Sequence, residues 1–510
     1  MRRNRSRPCS QPRAWAQCLV ALAALLLPVV AVAFDFDDVA REAAALARAP
    51  YQPAAEGDAD LAALSYDAYR DIRFRPERAR WRAHSPFQLQ FFPLGRSHAR
   101  PLRLYELRGG AALPLPVPAS DFAVGRVAAG VQPLPGAAGW RLSYPLNHAD
   151  RADELIVMLG ASYFRALGQG QTYGLSARAI AVDTAGPQRE EFPAFTAFWF
   201  ERPGPDARAL HFYALLDGPR VAGAYRFVVR PGQDTVVEVQ ARLFLRAPVA
   251  TLGIAPLSSM FLAGENQPAA HDYRPEVHDS DGLLVAAGDG ELIWRPLTNP
   301  AQPFVTSFAL PELRGFGLLQ RDRAFASYED LEAHYERRPS AWIEPIGQWG
   351  PGRVELLQFG TPDETHDNIA AYWVPRALPP FGAPIDLAWR VRWTRAEPVP
   401  GPLARVQQTR RGHGYVATPP RAGQHQLHVD FAGAALQGLA ADAPVEVALS
   451  ANHNVRDPRA RAYAHGDAGR WRVSLDFERI DPRQPVELRL QLHLAGKALS
   501  ETWAYALAPQ

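Results

Sequence analysis

Cysteine is almost missing from this chain. Two occur in 510 residues, Cys9 and Cys18, and both fall within the first 33 positions. Once that stretch is removed, the remainder offers no disulfide, no thiol nucleophile and no cysteine-ligated metal. Lysine is scarcer still: Lys497 is the single one, against an arginine-rich background. With Ala, Pro and Gly also abundant, that bias reads as base composition and carries no functional meaning. Beyond residue 33 no apolar run is long enough to cross a membrane as a helix. A Gly-x-Ser-x-Gly elbow in the right context and a glycine-rich phosphate loop are also missing, which argues against the common serine-hydrolase and nucleotide-binding classes. No basic stripe with interleaved aromatics is present, so nucleic acid is not an expected partner.

What is there begins with an address. "MRRNRSRPCSQPRAWAQ" carries five arginines and no acid, and "CLVALAALLLPVVAVA" follows from Cys18 to Ala33. A basic head, a short apolar middle interrupted by Pro28 and a small-residue end predict a secretory signal peptide over residues 1–33. Its removal leaves 50 basic against 53 acidic residues, a net of −3 instead of the +2 of the whole chain. The expected product is exported, with no membrane span after cleavage.

The chain is too long for one typical core, so more than one domain is expected. Two alanine-rich helices are predicted at Asp37–Ala49 and Asp60–Ile72. Strand patterns then dominate. "DTVVEVQARLFLR" puts Val237, Val239, Ala241, Leu243 and Leu245 on one face and Glu238, Gln240 and Arg242 on the other. Residues 210–230 read as two strands around Asp217-Gly218, and similar segments recur to Arg395. This predicts a mainly β protein, with a large antiparallel β-sandwich over residues 34–396. "SYEDLEAHYERRPS" is predicted as one interrupting helix, with Ser327 and Asp330 spaced as a capping box and Pro339 as its stop. "EPVPGP" at 397–402 reads as a stiff linker. Residues 403–510 carry short alternating strands at a length suited to an immunoglobulin-like β-sandwich.

Two stretches concentrate charge beside apolar runs: "HDYRPEVHDSDGLLV", His271 to Val285, and "TPDETHDNIAAYW", Thr361 to Trp373. Asp279-Ser280-Asp281-Gly282 begins like a calcium loop, but position 283 is Leu and Glu291 falls at the wrong spacing. His271 and His278 are seven apart, unlike a usual zinc pair. No metal or other cofactor is therefore expected. Two acidic loops can place carboxylates across a cleft, as glycoside cleavage requires. They serve equally well as local turns, since Asp and Asn hydrogen-bond nearby backbone. Tyr163, Tyr273, Trp294, Trp349, Tyr372 and Trp373 lie in or near such loops. Each could be a stacking platform for sugar or simply part of the core.

Longer motifs narrow the reading. "GASYFRALGQGQTYGLSARAIAVDT", "EEFPAFTAFWFERP", "DYRPEVHDSDGL", "IWRPLTNP", "RGFGLLQRDRAFASYEDLEAHYERRPSAWIEP" and "GQWGPGRVELLQFGTPDETHDNIAAYWVP" together resemble the periplasmic glucan biosynthesis family, OpgG/OpgD. The resemblance implies a mutarotase-like β-sandwich domain joined to an immunoglobulin-like one. It also implies a periplasmic location and β-1,2-linked glucan as partner. Cleavage of that glucan with inversion is implied too, with Asp367 as general acid and Asp279 as general base. Tyr163, Arg165, Tyr273, Arg274, Glu276, His278, Asp281, Trp294, Glu364 and Trp373 form the expected sugar-contacting set. The proton on Asp367 would be held by burial or by a neighbouring carboxylate, Glu364 or Asp363. Arg274 or Arg165 would grip hydroxyls or keep one carboxylate ionised. The inner-membrane glucan synthase and a second copy of the chain are the candidate protein partners. A non-catalytic glucan scaffold and a branch-adding transferase remain open alternatives. Two departures stand out: His366 replaces the family's usual Asn next to the acid, and the signal lacks a twin-arginine pattern, which favours the G-type branch.

Overall fold

The computed structural model describes residues 1, 33–53, 58–98, 100–186, 188–413, 421, 423–466 and 469–510. The expected signal peptide thus lies almost wholly outside the described residues. The first helix forms at Phe36–Arg48, where Asp35 caps the N–H groups of Asp37 and Asp38 and Asp38 reaches back to the N–H of Asp35. It buries Val39, Ala40 and Ala43 against Trp199, Tyr213 and Leu215. The second expected helix is broken in two, Ala59–Ala62 and Tyr66–Arg70, because Ser65 caps a new start by accepting the N–H of Ala68. Its expected end, Ile72, begins a strand instead.

Two large sheets carry the rest. A ten-stranded sheet runs from Gln88–Phe92 at one edge to Phe304–Leu310 at the other, and a fifteen-stranded sheet runs from Glu446–Ala451 to Ala111–Pro114. Thr235–Leu245 pairs with Val221–Arg230 on one side and Ile385–Thr394 on the other, and its valines alternate into the core as the pattern requires. Between the sheets lies one core. Trp140, Ile156, Ile254 and Leu356 from the smaller sheet face Phe198, Phe212, Phe227 and Trp393 from the larger. Burying each such side chain is worth about 1.5–3 kcal/mol, which makes this interior the main source of stability.

The strands after 402 do not form an isolated sandwich. Glu446–Ala451, Val486–Leu494 and Thr502–Leu507 extend the fifteen-stranded sheet, joined by parallel pairing of Ile293 with Thr502 and Trp294 with Trp503. The facing four-stranded sheet orders Arg405–Arg411, Gln424–Ala432, Arg470–Arg479 and Val455–Ala464. Its core also takes in Leu284, Ala286, Leu292, Trp294 and Trp342 from the large lobe. The expected linker is pinned as well, with Glu397 reaching Arg321 and Arg405.

The helix expected at 327–339 does not form. Only single 3₁₀ turns appear, at Phe325–Ser327 and Tyr335–Arg337. Glu329 and His334 have left-handed backbone, φ 55° and 48°, which no α-helix contains. Asp330 spends its carboxylate on the N–H groups of Glu332 and Ala333 and on Arg274, leaving Ser327 without the predicted capping box.

Candidate active site

The site grows from one short spine, Ser259–Phe261. The N–H of Asp279 donates to the carbonyl of Met260 at 2.8 Å, and the N–H of Asn368 donates to the carbonyl of Ser259 at 3.1 Å. Asn368 is fully buried; its side chain accepts from the N–H of Phe261 at 2.8 Å and donates to the carbonyls of Phe261 and Phe359 at 2.9 Å each. Ser259 and Ser280 share a hydroxyl contact at 2.8 Å. The two acidic loops are thereby fastened to consecutive residues of a single segment.

Asp279 is 5% exposed. Burial pushes its carboxyl above the ordinary range, Arg338 opposes that through an ion pair, the charge of Asp367 adds to it, and Arg165 opposes it. Tyr163 feels the charges of Asp367 and Arg165 too, after burial and Arg178. Asp279, Asp367, Arg165 and Tyr163 therefore share one electrostatic neighbourhood. Asp367 is exposed, not buried as expected of a proton donor. Its presumed neighbours face elsewhere: Glu364 pairs with Arg274 at 2.7 Å, and Asp363 accepts from the N–H and hydroxyl of Thr365. His366 also turns to Asp363, at 3.2 Å.

The expected sugar-contacting set divides. Tyr163, Arg165 and Glu364 are half-buried, while Tyr273 projects at 76% exposed. Arg274 is committed to Asp272, Asp330 and Glu364. Glu276, His278 and Asp281 face a different set of groups. His278 is buried, with Nε2 2.9 Å from Glu276 and Nδ1 2.8 Å from the amide oxygen of Gln320. Burial alone would lower its proton affinity, but Asp281 and Glu276 outweigh that and raise it to about 10. Asp322 is pushed up to about 8 by burial and by Asp281 and Glu276, and Glu265 is raised well above the carboxylate range by burial and Glu276. This cluster meets the C-terminal lobe where Glu265 accepts the N–H of Thr409 at 2.9 Å.

Carboxylate oxygens of Glu265, Glu276 and Asp322 lie within 4.8 Å of one another, as do ligating atoms of Glu276, His278 and Asp281. These are the described groups with the spacing to hold a cation, and the sequence spacing did not reveal them. Both ring nitrogens of His278 already face acceptors, so the imidazole behaves as a charged double donor and not as a ligand.

Two expected platforms are core residues. Trp373 is fully buried, packed over Gly352, where any Cβ would come within 2.4 Å of its ring. Trp294 is 3% exposed, packed likewise over Gly282, with the Arg321 guanidinium 3.7 Å from its ring centroid. Neither presents a free face to a sugar. Sequence reasoning also passed over Arg338, the cation that meets Asp279, although it lies within a quoted motif. The available signal was the Arg337-Arg338 pair before Pro339, of which only Arg338 turns inward.

Residues 34–507 match the sequence model of the family described as "Periplasmic glucan biosynthesis protein, MdoG". The chain belongs to this family. Among periplasmic glucan biosynthesis proteins it is 48% identical to "Glucans biosynthesis protein G" of Ralstonia nicotianae over 500 residues, covering 96% of this chain and 99% of that one. It is 46% identical to the protein of that name from Pseudomonas paraeruginosa, covering 96% and 95%. For the Pectobacterium atrosepticum protein of that name the figures are 44%, 95% and 96%. Membership connects the chain with glucan biosynthesis in the periplasm, and no described helix is long and apolar enough to cross a membrane.

Proposed function

We propose that this protein binds β-1,2-linked glucan across the Ser259–Phe261 spine and cleaves it with inversion. The observation that carries the reading is the shared anchoring of Asp279 and Asn368, the residue after Asp367, on that spine. Asp279 is the general base. Its burial keeps bulk solvent away, and the Arg338 cation favours the ionised form that can take a proton from water. Asp367 is the general acid. It is exposed in the free protein, open to the leaving oxygen of a bound glucan. The water oxygen attacks the anomeric carbon as its proton passes to Asp279. The glycosidic C–O bond breaks, and the leaving oxygen takes the proton of Asp367. Inversion needs room for that water, with the carboxyls about 6.5–9.5 Å apart. Tyr163, Arg165 and Tyr273 line the sugar path, and the exported protein works beside the membrane-bound glucan synthase.

The printed names of the family and its relatives speak of biosynthesis, which favours a second reading. In it the chain holds or branches nascent glucan without shortening it. Incubation with linear β-1,2-glucan, following chain length, linkage and product anomer, separates these outcomes. Shorter chains with an inverted anomer support cleavage. New linkages indicate a transferase, and tight binding without new reducing ends indicates a scaffold.

A further inference from the structure

We infer that Arg338 is a positioning residue for Asp279, and that the irregular segment from Tyr328 to Arg338 is the frame that holds the base against its own burial. The inference rests on the cleavage reading and adds a residue to it. Arg338 Nη1 meets Asp279 Oδ1. Its guanidinium carbon lies 4.0 Å from the ring centroid of Tyr335, and its stem packs on Gly174, where an added Cβ would come 3.0 Å from Arg338 Cβ. Its own N–H is tied to the carbonyl of Tyr335 at 3.1 Å.

The support continues inward. Tyr335 is 1% exposed and stacks on Tyr328 at 5.7 Å, and Tyr328 meets the ring of His278 edge-on at 5.3 Å. Each layer limits the freedom of the one above, so the guanidinium has little room to leave the carboxylate. The same segment reaches the other acidic loop, because Asp330 holds Arg274 at 2.9 Å and Arg274 holds Glu364 at 2.7 Å. One frame therefore touches both acidic loops.

The chemistry requires a cation here. A buried carboxylate without a partner keeps its proton and cannot serve as a base. Arginine is charged at every working pH, and its planar group can stack on Tyr335 while directing one N–H at a single oxygen. Among the described contacts it is Oδ1 of Asp279 that takes that bond.

The test compares wild type, Arg338→Lys and Arg338→Met on linear β-1,2-glucan across the pH range. The expected result for Arg338→Met is a fall in kcat of about 100-fold near neutrality with KM nearly unchanged. Its acidic limb of kcat/KM moves up by about one pH unit or more. Arg338→Lys restores the position of the limb and part of the rate. Wild-type kcat and an unmoved limb in Arg338→Met would overturn the inference while leaving the cleavage reading intact. A wild type that releases no reducing ends overturns the reading, and the inference with it. Stability supplies a second readout should Arg338→Met fold poorly. Adding Asp279→Asn to that variant removes the buried carboxyl left without its cation and should recover most of the lost Tm; no recovery counts against the pairing.

Discussion

The N–H of Asp279 donates to the carbonyl of Met260 at 2.8 Å, one residue along from the carbonyl that receives the N–H of Asn368. That relationship turns two acidic stretches, far apart in the chain, into neighbours. It also sets their two carboxyls in different surroundings. Asp279 sits inside the protein against Arg338, and Asp367 stands in solvent until something covers it.

Replacing Asp367 by Asn should therefore remove cleavage without harming the fold. The side chain is exposed, so Tm should stay within a degree or two of wild type. Under the proposed role of Asp367 as general acid, reducing-end release should slow by about 10²–10⁴-fold. Glucan affinity should persist. Turnover at the wild-type rate would remove Asp367 from the mechanism.

Asn368 offers a test of the anchoring itself. Its amide serves the N–H and carbonyl of Phe261 and the carbonyl of Phe359, all in the interior. Asn368→Ala strands these backbone groups, and the expected cost is about 2–3 kcal/mol in urea unfolding. Activity should fall further than Tm alone explains, because the loop carrying Asp367 loses its fastening. A variant as stable and as active as wild type would show that the fastening lies elsewhere.

Much of this was legible in the residues. Alternation in Thr235–Leu245 announced a half-buried strand, and the turn at Asp217-Gly218 was placed by its own chemistry. The acidic loops were found because charge beside an apolar run is visible in one dimension. Long-range partners were not visible. Trp294 and Trp373 looked like platforms because nothing local shows that Gly282 and Gly352 leave space for their rings. The segment around Glu329 and His334 reads as helix by spacing, but Asp330 gains more from Arg274 and its own turn than from a helical cap. Periodicity likewise says which residues of 403–510 alternate, not that Thr502 and Trp503 pair with Ile293 and Trp294.

The buried cluster beside the site should make stability fall as pH rises. His278 has its proton affinity raised from 6.5 to about 10, so its contribution is complete below pH 6.5 and is lost as pH climbs through 10. Asp322, raised from 3.8 to about 8, holds in the fold a proton that the unfolded chain releases, so it too favours the fold less as pH rises over that interval. Urea midpoints measured at successive pH values should decline from mildly acid to alkaline conditions, and Asp322→Asn should flatten the decline below about pH 8. A midpoint that climbs across this range would contradict the assignment.

The seam between the lobes yields the last prediction. Arg321 pairs with Glu501 at 2.6 Å, donates to the carbonyl of Val406 at 3.1 Å and lies over Trp294. Glu501 is fully buried, with Arg405 at 3.3 Å as its second cation. Arg321→Ala leaves that carboxylate half-compensated, at a cost of about 3 kcal/mol, the low end for a broken buried pair. Because a single sheet and a common core run across the seam, wild type should unfold in one transition, by fluorescence and by circular dichroism alike. Arg321→Ala should shift that transition to lower urea without splitting it. Two resolved transitions in wild type would mean that the lobes fold independently, and that the strand pairing at Trp294 and Trp503 couples them only weakly.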